Sequence, residues 1–358
     1  MTDKTNILNT SLSELTDFLK TINEPPYRAN QIWQWIWQKG NLDFGSMTNL
    51  SKKLRNDLDK HYFIQWPHVV PYRSQLDQTV KLILELEDQN LIETVLIPEK
   101  DHFTLCISSQ VGCPLGCTFC STGKMGFIRN LGTGEILSQI LIAQDYIKRN
   151  EISLPLRNIV FMGMGEPLLN WPNVNNALAA LHNPRGFNFS HRRVTVSTVG
   201  IPHILKQYNI NQYASLALSI HAPSQELRQQ LMPKAASLIP LEDLIKLLKN
   251  VPLRSRQRVT IEYILIGGLN DSLDQAKALN RLVSSLPCKI NLIPFNPGRD
   301  IPYQAPDQEH ILAFENFLWE KGLTVNLRKS KGEDIQAACG QLRAQHSEGK
   351  VALKPENA

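Results

Sequence analysis

Cysteine carries the densest chemistry in this chain. The six cysteines are Cys106, Cys113, Cys117, Cys120, Cys288 and Cys339, and four of them fall within fifteen residues. Cys113-Pro-Leu-Gly-Cys117-Thr-Phe-Cys120 forms a C-x3-C-x2-C triplet. Three thiolates at this spacing can hold three irons of a [4Fe–4S] cluster and leave the fourth open to a ligand. Gly112, Pro114 and Gly116 suit the turning backbone that such a loop needs. A zinc site or inert buried thiols are the alternatives. A structural zinc takes four protein ligands, and no second cysteine pair is present, so Cys106 or His102 would have to complete it. Six cysteines in 358 residues are too sparse for a disulfide scaffold.

The elements that must position this loop alternate along the chain. Strand-type runs cover 103–108, 158–162, 193–198, 215–220, 259–266 and 289–294. Helix-type runs cover 134–149, 174–182, 241–249, 273–285 and 309–321, and a short strand follows at 323–327. Repeated strand–helix units imply a parallel sheet. Glycine, polar and histidine residues just after the strands point to a full or partial (β/α) barrel, with its site at the C-terminal strand ends. A doubly wound open sheet is the other arrangement. Ahead of this region, 80–86 and 91–97 read as strands joined by a turn at Asp88-Gln89-Asn90, and 67–72 reads as a connector. The first 70 or so residues read as helices. Ser11 and Glu14 form a capping box, a second helix runs through Ile32, Trp33, Ile36 and Trp37 to Gly40, and a third spans Ser51 to His61. Three of the six tryptophans lie at 33, 35 and 37. They suit a helical core, or a base-stacking surface beside Lys39.

Length and composition bound the rest. With 42% hydrophobic and 20% charged residues, the chain can bury a sizeable core. No stretch approaches the roughly 18–20 apolar residues of a spanning helix, and no signal peptide opens the chain. The expectation is a cytoplasmic protein without a membrane partner, acting as a monomer. Net charge is only +5, but it is unevenly placed. Residues 167–225 and 244–261 contain no acid, and they carry Arg185, Arg192, Arg193 and Lys206, then Lys246, Lys249, Arg254, Arg256 and Arg258. Arg328, Lys329 and Lys331 precede Cys339. Such clusters suit phosphate contacts or form a solvated basic face.

The motifs together resemble one family. The triplet is the signature of radical S-adenosylmethionine enzymes. Gln110-Val-Gly-Cys113, Phe161-Met-Gly-Met-Gly-Glu166-Pro167, Arg193-Val-Thr-Val-Ser197-Thr, Ser219-Ile220-His221-Ala-Pro, Asn291-Leu-Ile-Pro-Phe-Asn296-Pro and Ala338-Cys339-Gly-Gln-Leu resemble the RlmN group of RNA methyltransferases. The agreement covers nearly the whole chain, in the same order. The resemblance implies an α/β fold: a partial (β/α)6 radical S-adenosylmethionine barrel with a small helical N-terminal accessory domain. The expected division is 1–72 for an RNA-binding accessory domain, 73–102 for a β extension carrying Glu93, 103–345 for the barrel and a C-terminal extension carrying Cys339, and 346–358 for a flexible tail.

It further implies methylation of adenine C2 in 23S ribosomal RNA and in tRNA, using two S-adenosylmethionine molecules per methyl group. C2 and a sulfonium methyl are both electrophilic, so simple displacement fails and a radical route is required. On the family pattern, Cys113, Cys117 and Cys120 hold the [4Fe–4S] cluster. Cys339 matches the methyl carrier, whose thiolate attacks the first S-adenosylmethionine. A radical from the second activates that methyl for addition to C2. Cys106 matches the resolving cysteine, which leaves a disulfide with Cys339 for an outside reductant to reopen. Glu93 matches the proton acceptor. Glu166, Pro167, Ser197, Ser219, Ile220, His221 and Asn296 match cofactor contacts. Where relatives commonly have Ser-Leu-His this chain has Ser-Ile-His, a change a backbone contact survives. Cys288 has no matched role and reads as a packed strand start. A flavodoxin or ferredoxin is the expected electron donor. The related adenine-C8 methyltransferases share the cysteine machinery and are the nearest rival reading.

Overall fold

The structure, a computed structural model, describes residues 4–298 and 301–343. The tail expected at 346–358 and the last two residues of the expected barrel segment lie outside the described residues.

Ten strands form one sheet. In spatial order they are Val325–Leu327, Cys288–Pro294, Val259–Leu265, Ser215–Ser219, Val194–Thr198, Leu156–Phe161, Phe103–Cys106, Leu91–Pro98, Val80–Glu85 and His68–Arg73. From Phe103–Cys106 to Val325–Leu327 all neighbours are parallel, and they follow one another in chain order. A doubly wound sheet reverses its strand order at a switch point; this one does not, so it winds one way as a barrel does. The barrel is open, because Phe103–Cys106 pairs on its other side with the antiparallel strand Leu91–Pro98 instead of closing on the last strand.

The strand sequences explain their placement. In Val259–Leu265 every residue is buried. Val259, Ile261, Tyr263 and Leu265 share one face, while Thr260, Glu262 and Ile264 share the other, as a period of two requires. Glu262 and Ile264 line the barrel's inner cavity, so the apolar set faces the helices. The helices Thr133–Arg149, Trp171–His182, Leu241–Lys249, Leu273–Val283 and Gln308–Glu320 cover the outside. Residues 67–72 differ from the expectation. They are not a connector, because His68–Arg73 is an edge strand paired antiparallel with Val80–Glu85. Pro71 hides the signal, although an edge strand tolerates proline.

The N-terminal segment is helical. Ser11 and Glu14 make both bonds of the capping box, 3.2 and 2.7 Å, and Ser51 caps Lys52–His61. Tyr27–Trp33 continues as a wider π-type turn over Gln34–Gln38. Trp33 and Trp37 pack edge to face inside the core. Only Trp35 is half-exposed, with the Lys39 ammonium 3.5 Å above its ring. The helical segment docks on the barrel at Gly134, whose amide donates to Asn9 Oδ1 at 3.1 Å. A Cβ at Gly134 would stand 2.6 Å from the Leu8 carbonyl oxygen. Gly134→Ala therefore loses stability, by about 1–3 kcal/mol, although alanine is the better helix former. Thermal unfolding tests this, and a midpoint at or above the parent's would contradict the docking.

Candidate active site

The cysteine loop is built by local pairing. Gln110–Gly112 pairs antiparallel with Phe127–Asn130, and the Cys113 amide donates to the Gly126 carbonyl at 2.7 Å. Gly112 has φ +72°, and a Cβ there would lie 1.9 Å from Gly126 O, so only glycine fits this crossing. Two short helices, Gln225–Leu231 and Pro233–Leu238, brace the loop from outside. Thr118 donates to Leu231 O at 2.9 Å, and Lys234 Nζ donates to Pro114 O at 2.6 Å. Neither the hairpin nor these helices carries a clear periodic signal in the sequence.

The three cysteines are half-buried at the mouth of a 170 Å3 cavity over the C-terminal strand ends. Burial pushes the Cys113 thiol up to about 12, with Cys120 and Glu166 adding to the effect. Burial raises Cys117 and Cys120 too; Cys117 is also raised by the other two thiols, and Cys120 by Cys339. Three thiols that oppose one another's ionisation become thiolates together only around a cationic partner. Among the described residues no three His, Cys, Asp or Glu side chains could hold a metal ion as a ready-made site. One thiolate for each iron of a cluster fits this donor set better than one zinc. His102 does not complete a zinc site: it precedes Phe103–Cys106, at the other end of the strand, and bonds Asp101 and Asn158.

The remaining expected residues sit as follows. Glu166 is buried and lines the cavity; its oxygens accept from the amides of Leu168 and Val199, each at 3.0 Å. Burial lifts its carboxyl to about 7, against those bonds. Pro167 begins the short helix that follows. Ser197 Oγ and Ser219 Oγ are 3.4 Å apart on the wall. Ile220 is buried, and its amide donates to Glu262 O at 3.2 Å. His221 adopts φ +57°, and its Nδ1 accepts from the Ile264 amide at 3.1 Å, which puts the ring proton on Nε2. Burial, reinforced by Arg228, pushes this imidazole down to about 3, so it is neutral at physiological pH. Asn296 lines an adjoining 440 Å3 cavity instead and accepts from Ser330 Oγ at 2.5 Å. Cys339 and Arg328 line both cavities.

The C-terminal segment folds back to bring Cys339 there. Ser121 N donates to Gly340 O at 2.7 Å, and Thr122 Oγ1 donates to Leu342 O at 2.6 Å. Cys339 is exposed, whereas Cys106 is buried at the end of its strand. Burial pushes Cys106 up to about 12; Cys339 reinforces this and Arg328 opposes it. Glu93 lines neither cavity. It is buried beneath the returning segment, 3.2 Å from Lys81 Nζ, and accepts from the Arg343 amide at 3.0 Å. Burial raises its carboxyl, against the pull of Lys81. Cys288 begins its strand and is buried, as expected. All six cysteines are free thiols.

Glu262 escaped the sequence reading, and Arg328 entered it only as part of a basic cluster. Arg328 is not an outward phosphate contact. Its Nη1 lies 3.6 Å from Met162 Sδ; burial works against its charge, and Cys339 and then Glu262 nearby favour it. Glu262 is buried; its Oε1 accepts from Asn291 at 2.9 Å, while its Oε2 has no partner among the described residues. An acid within an otherwise uncharged, wholly buried strand was the available signal.

An open, singly wound (β/α) barrel with three cysteines on the loop after its first strand defines a radical S-adenosylmethionine enzyme. Residues 107–278 match the Radical SAM superfamily, and residues 5–64 match the ribosomal RNA large subunit methyltransferase N-terminal domain. The chain is 49% identical to the dual-specificity RNA methyltransferase RlmN of Solidesulfovibrio magneticus, over 95% of this chain and 97% of that protein. It is 51% identical to the protein of that name from Lawsonia intracellularis, over 94% of this chain and 96% of that one. A radical SAM methyltransferase from Sphaerobacter thermophilus, known by crystal structure, superposes with a TM-score of 0.88 at 39% identity, over 95% of this chain and 100% of that one. The chain belongs to the RlmN family.

The buried Lys81–Glu93 pair yields a test of the closed arrangement. Lys81→Met strands a buried carboxylate and lowers stability by about 3 kcal/mol, whereas Lys81→Met with Glu93→Gln recovers much of the loss. Urea unfolding measures both. Equal losses in the single and double variants would contradict a direct pairing.

Proposed function

We propose that this enzyme methylates C2 of adenine in RNA, acting on both 23S ribosomal RNA and tRNA. The observation that carries the reading is the return of Cys339 to the cysteine loop, in a chain whose relatives are named dual-specificity RNA methyltransferases. A methyl carrier has to stand where a radical forms, and this arrangement supports that.

When bound, a [4Fe–4S] cluster held by Cys113, Cys117 and Cys120 supplies the electron that splits S-adenosylmethionine. The protein's own groups do the rest. Cys339, exposed and beside the Arg328 cation, takes the methyl group as a thiolate by displacement. The Ser197 and Ser219 hydroxyls on one wall and Glu166 with the Gly163–Gly165 backbone on the other suit a polar cosubstrate. Neutral His221 lines the same pocket, and Pro167 and Ile220 lie next in the chain to the lining residues Glu166 and His221. Asn296, beside Cys339 in the adjoining cavity, orients the carrier loop through Ser330.

Release of product needs the C2 proton to leave and the carbon–sulfur bond to break. Glu93 is the proton acceptor in this reading, and the Arg343 contact that covers it must open first. Cys106 loses its proton and attacks the Cys339 sulfur as the carbon–sulfur bond breaks; the one electron that began the radical sequence is given up again, and the resulting disulfide is reopened by an outside two-electron reductant. Burial favours the protonated Cys106 thiol, which restrains premature disulfide formation. A flavodoxin or ferredoxin supplies the radical-forming electron, and the enzyme works as a cytoplasmic monomer. Residues 1–72 serve as an RNA-binding accessory domain, except that their last residues enter the edge strand His68–Arg73 and so pair with the 73–102 extension that presents Glu93. No helix among the described residues is long and apolar enough to cross a membrane.

Mass spectrometry of nucleosides from treated RNA tests the reaction. The expected product is 2-methyladenosine, and 8-methyladenosine alone would transfer the chain to the C8 group. Cys339→Ala removes all RNA methylation. Cys106→Ala still methylates the carrier but stalls, so a covalent RNA–protein adduct accumulates on denaturing gels. Multiple turnovers by that variant would refute the resolving role.

A further inference from the structure

The barrel has a second pole. His191 and Arg192 precede the strand Val194–Thr198; Arg254, Arg256 and Arg258 precede Val259–Leu265; Lys289 is the second residue of Cys288–Pro294. All six line one groove of 520 Å3, at the N-terminal strand ends, opposite the cysteine loop.

The positive charge of this groove is uncompensated. No Asp or Glu lines it. Among the described residues, none of its arginines or Lys289 forms an ion pair. Asp101, an acid at this end of the barrel, is already paired with Arg157 and His102. Glu262, the carboxylate that feels Lys289, is buried inside the barrel. The arginines rest instead on neutral acceptors: Arg254 on the Gln212 carbonyl, and Arg258 Nη1 on Thr324 Oγ1 at 2.7 Å. Arg254 Nη1 is buried with no partner among the described residues. Burial and then the charges of Arg254 and Arg192 hold the His191 imidazole below its usual range, an independent sign of positive potential.

The groove is also held in shape. Gln257 Oε1 accepts from the Arg254 amide at 3.0 Å, and Gln257 Nε2 donates to Asn211 at 2.9 Å. Arg256 adopts φ +62°, a left-handed conformation that costs a non-glycine residue about 1 kcal/mol. A loop that keeps several cations together in this way is preorganised for an anion. Guanidinium groups match phosphate oxygens with two parallel hydrogen bonds.

We propose that this groove grips the phosphodiester backbone of the RNA substrate, as a second contact remote from the reacting base. The inference rests on the RNA-methyltransferase reading. Barrel strands of five to seven residues, at about 3.3 Å each, set the two poles roughly 20 Å apart. At about 3.4 Å per nucleotide, the figure for duplex DNA, roughly six nucleotides span that distance end to end, and more are needed to pass round the outside of the barrel. A folded RNA with one base in the cavity reaches the groove with backbone further along its fold. The same chemistry would accept free phosphate, so the test separates the two sources.

The holoenzyme and its Arg254→Ala/Arg256→Ala variant are titrated with a tRNA transcript and with a 23S ribosomal RNA fragment, from about 50 to 300 mM KCl. The variant, which gives up the Arg254 bond to the Gln212 carbonyl, should unfold within a few degrees of the parent yet bind RNA at least about fivefold more weakly near 0.1 M salt. Its salt slope should shrink by about 0.7–0.9 for each phosphate the groove no longer neutralises. Arg254→Lys/Arg256→Lys should keep most of the slope, which separates charge from fold. Inorganic phosphate should displace RNA from the parent no better than chloride at equal ionic strength. Equal affinity and slope for parent and alanine variant would overturn the groove proposal alone. Selective displacement by phosphate would assign the groove to the free anion and overturn it too. A parent that binds neither RNA would overturn both the groove and the RNA-methyltransferase reading.

Discussion

The site depends on one buried ion pair, Lys81 with Glu93, and on the chain end that it clasps. Lys81 also reaches the Gln336 carbonyl at 3.5 Å, and Glu93 also accepts from the Arg343 amide. The pair thus fastens both flanks of the segment that carries Cys339. Asp77 and Asp334 extend the clasp: Asp77 accepts from the Gly332 amide, and Asp334 accepts from Ser74. Desolvating two charges is expensive and is offset only when the pair stays together. The pair is therefore sensitive to displacement of the returning segment. That sensitivity suits the proton-acceptor role proposed for Glu93.

The antiparallel extension gives this clasp its place. Because Phe103–Cys106 pairs with Leu91–Pro98, the barrel stays open on the side where the C-terminal segment returns. A closed barrel would leave no seam for Cys339 to enter. Openness also explains the two adjoining cavities that share Cys339 and Arg328. One is walled by the cysteine loop and the strand ends, the other by the returning segment.

Charge divides the molecule between two ends. At the cysteine loop the thiols are buried beside Glu166, and burial first and then one another's charge hold Cys113 and Cys117 protonated. At the opposite end the groove gathers cations with no acid in its lining. Each end is incomplete in the opposite sense, which suits a metal cluster at one and a polyanion at the other.

Much of this was legible in the chain. The C-x3-C-x2-C spacing is local, so one stretch of sequence determined both the loop and its chemistry. The alternation of strands and helices determined the parallel sheet, because a period of two and a period of 3.6 are written in neighbouring residues. The edge strand His68–Arg73 and the hairpin at Gln110–Gly112 were not legible: one contains a proline and the other is too short to show a period. Arg328 and Glu262 were hidden for another reason. A side chain's direction depends on which face its strand turns inward, and only packing decides that. The approach of Cys339 to Cys120 across more than two hundred residues, the burial of Glu93 and the gathering of cations from two loops and the start of a strand are likewise tertiary facts. They arise from long-range hydrogen bonds and burial that no local pattern encodes.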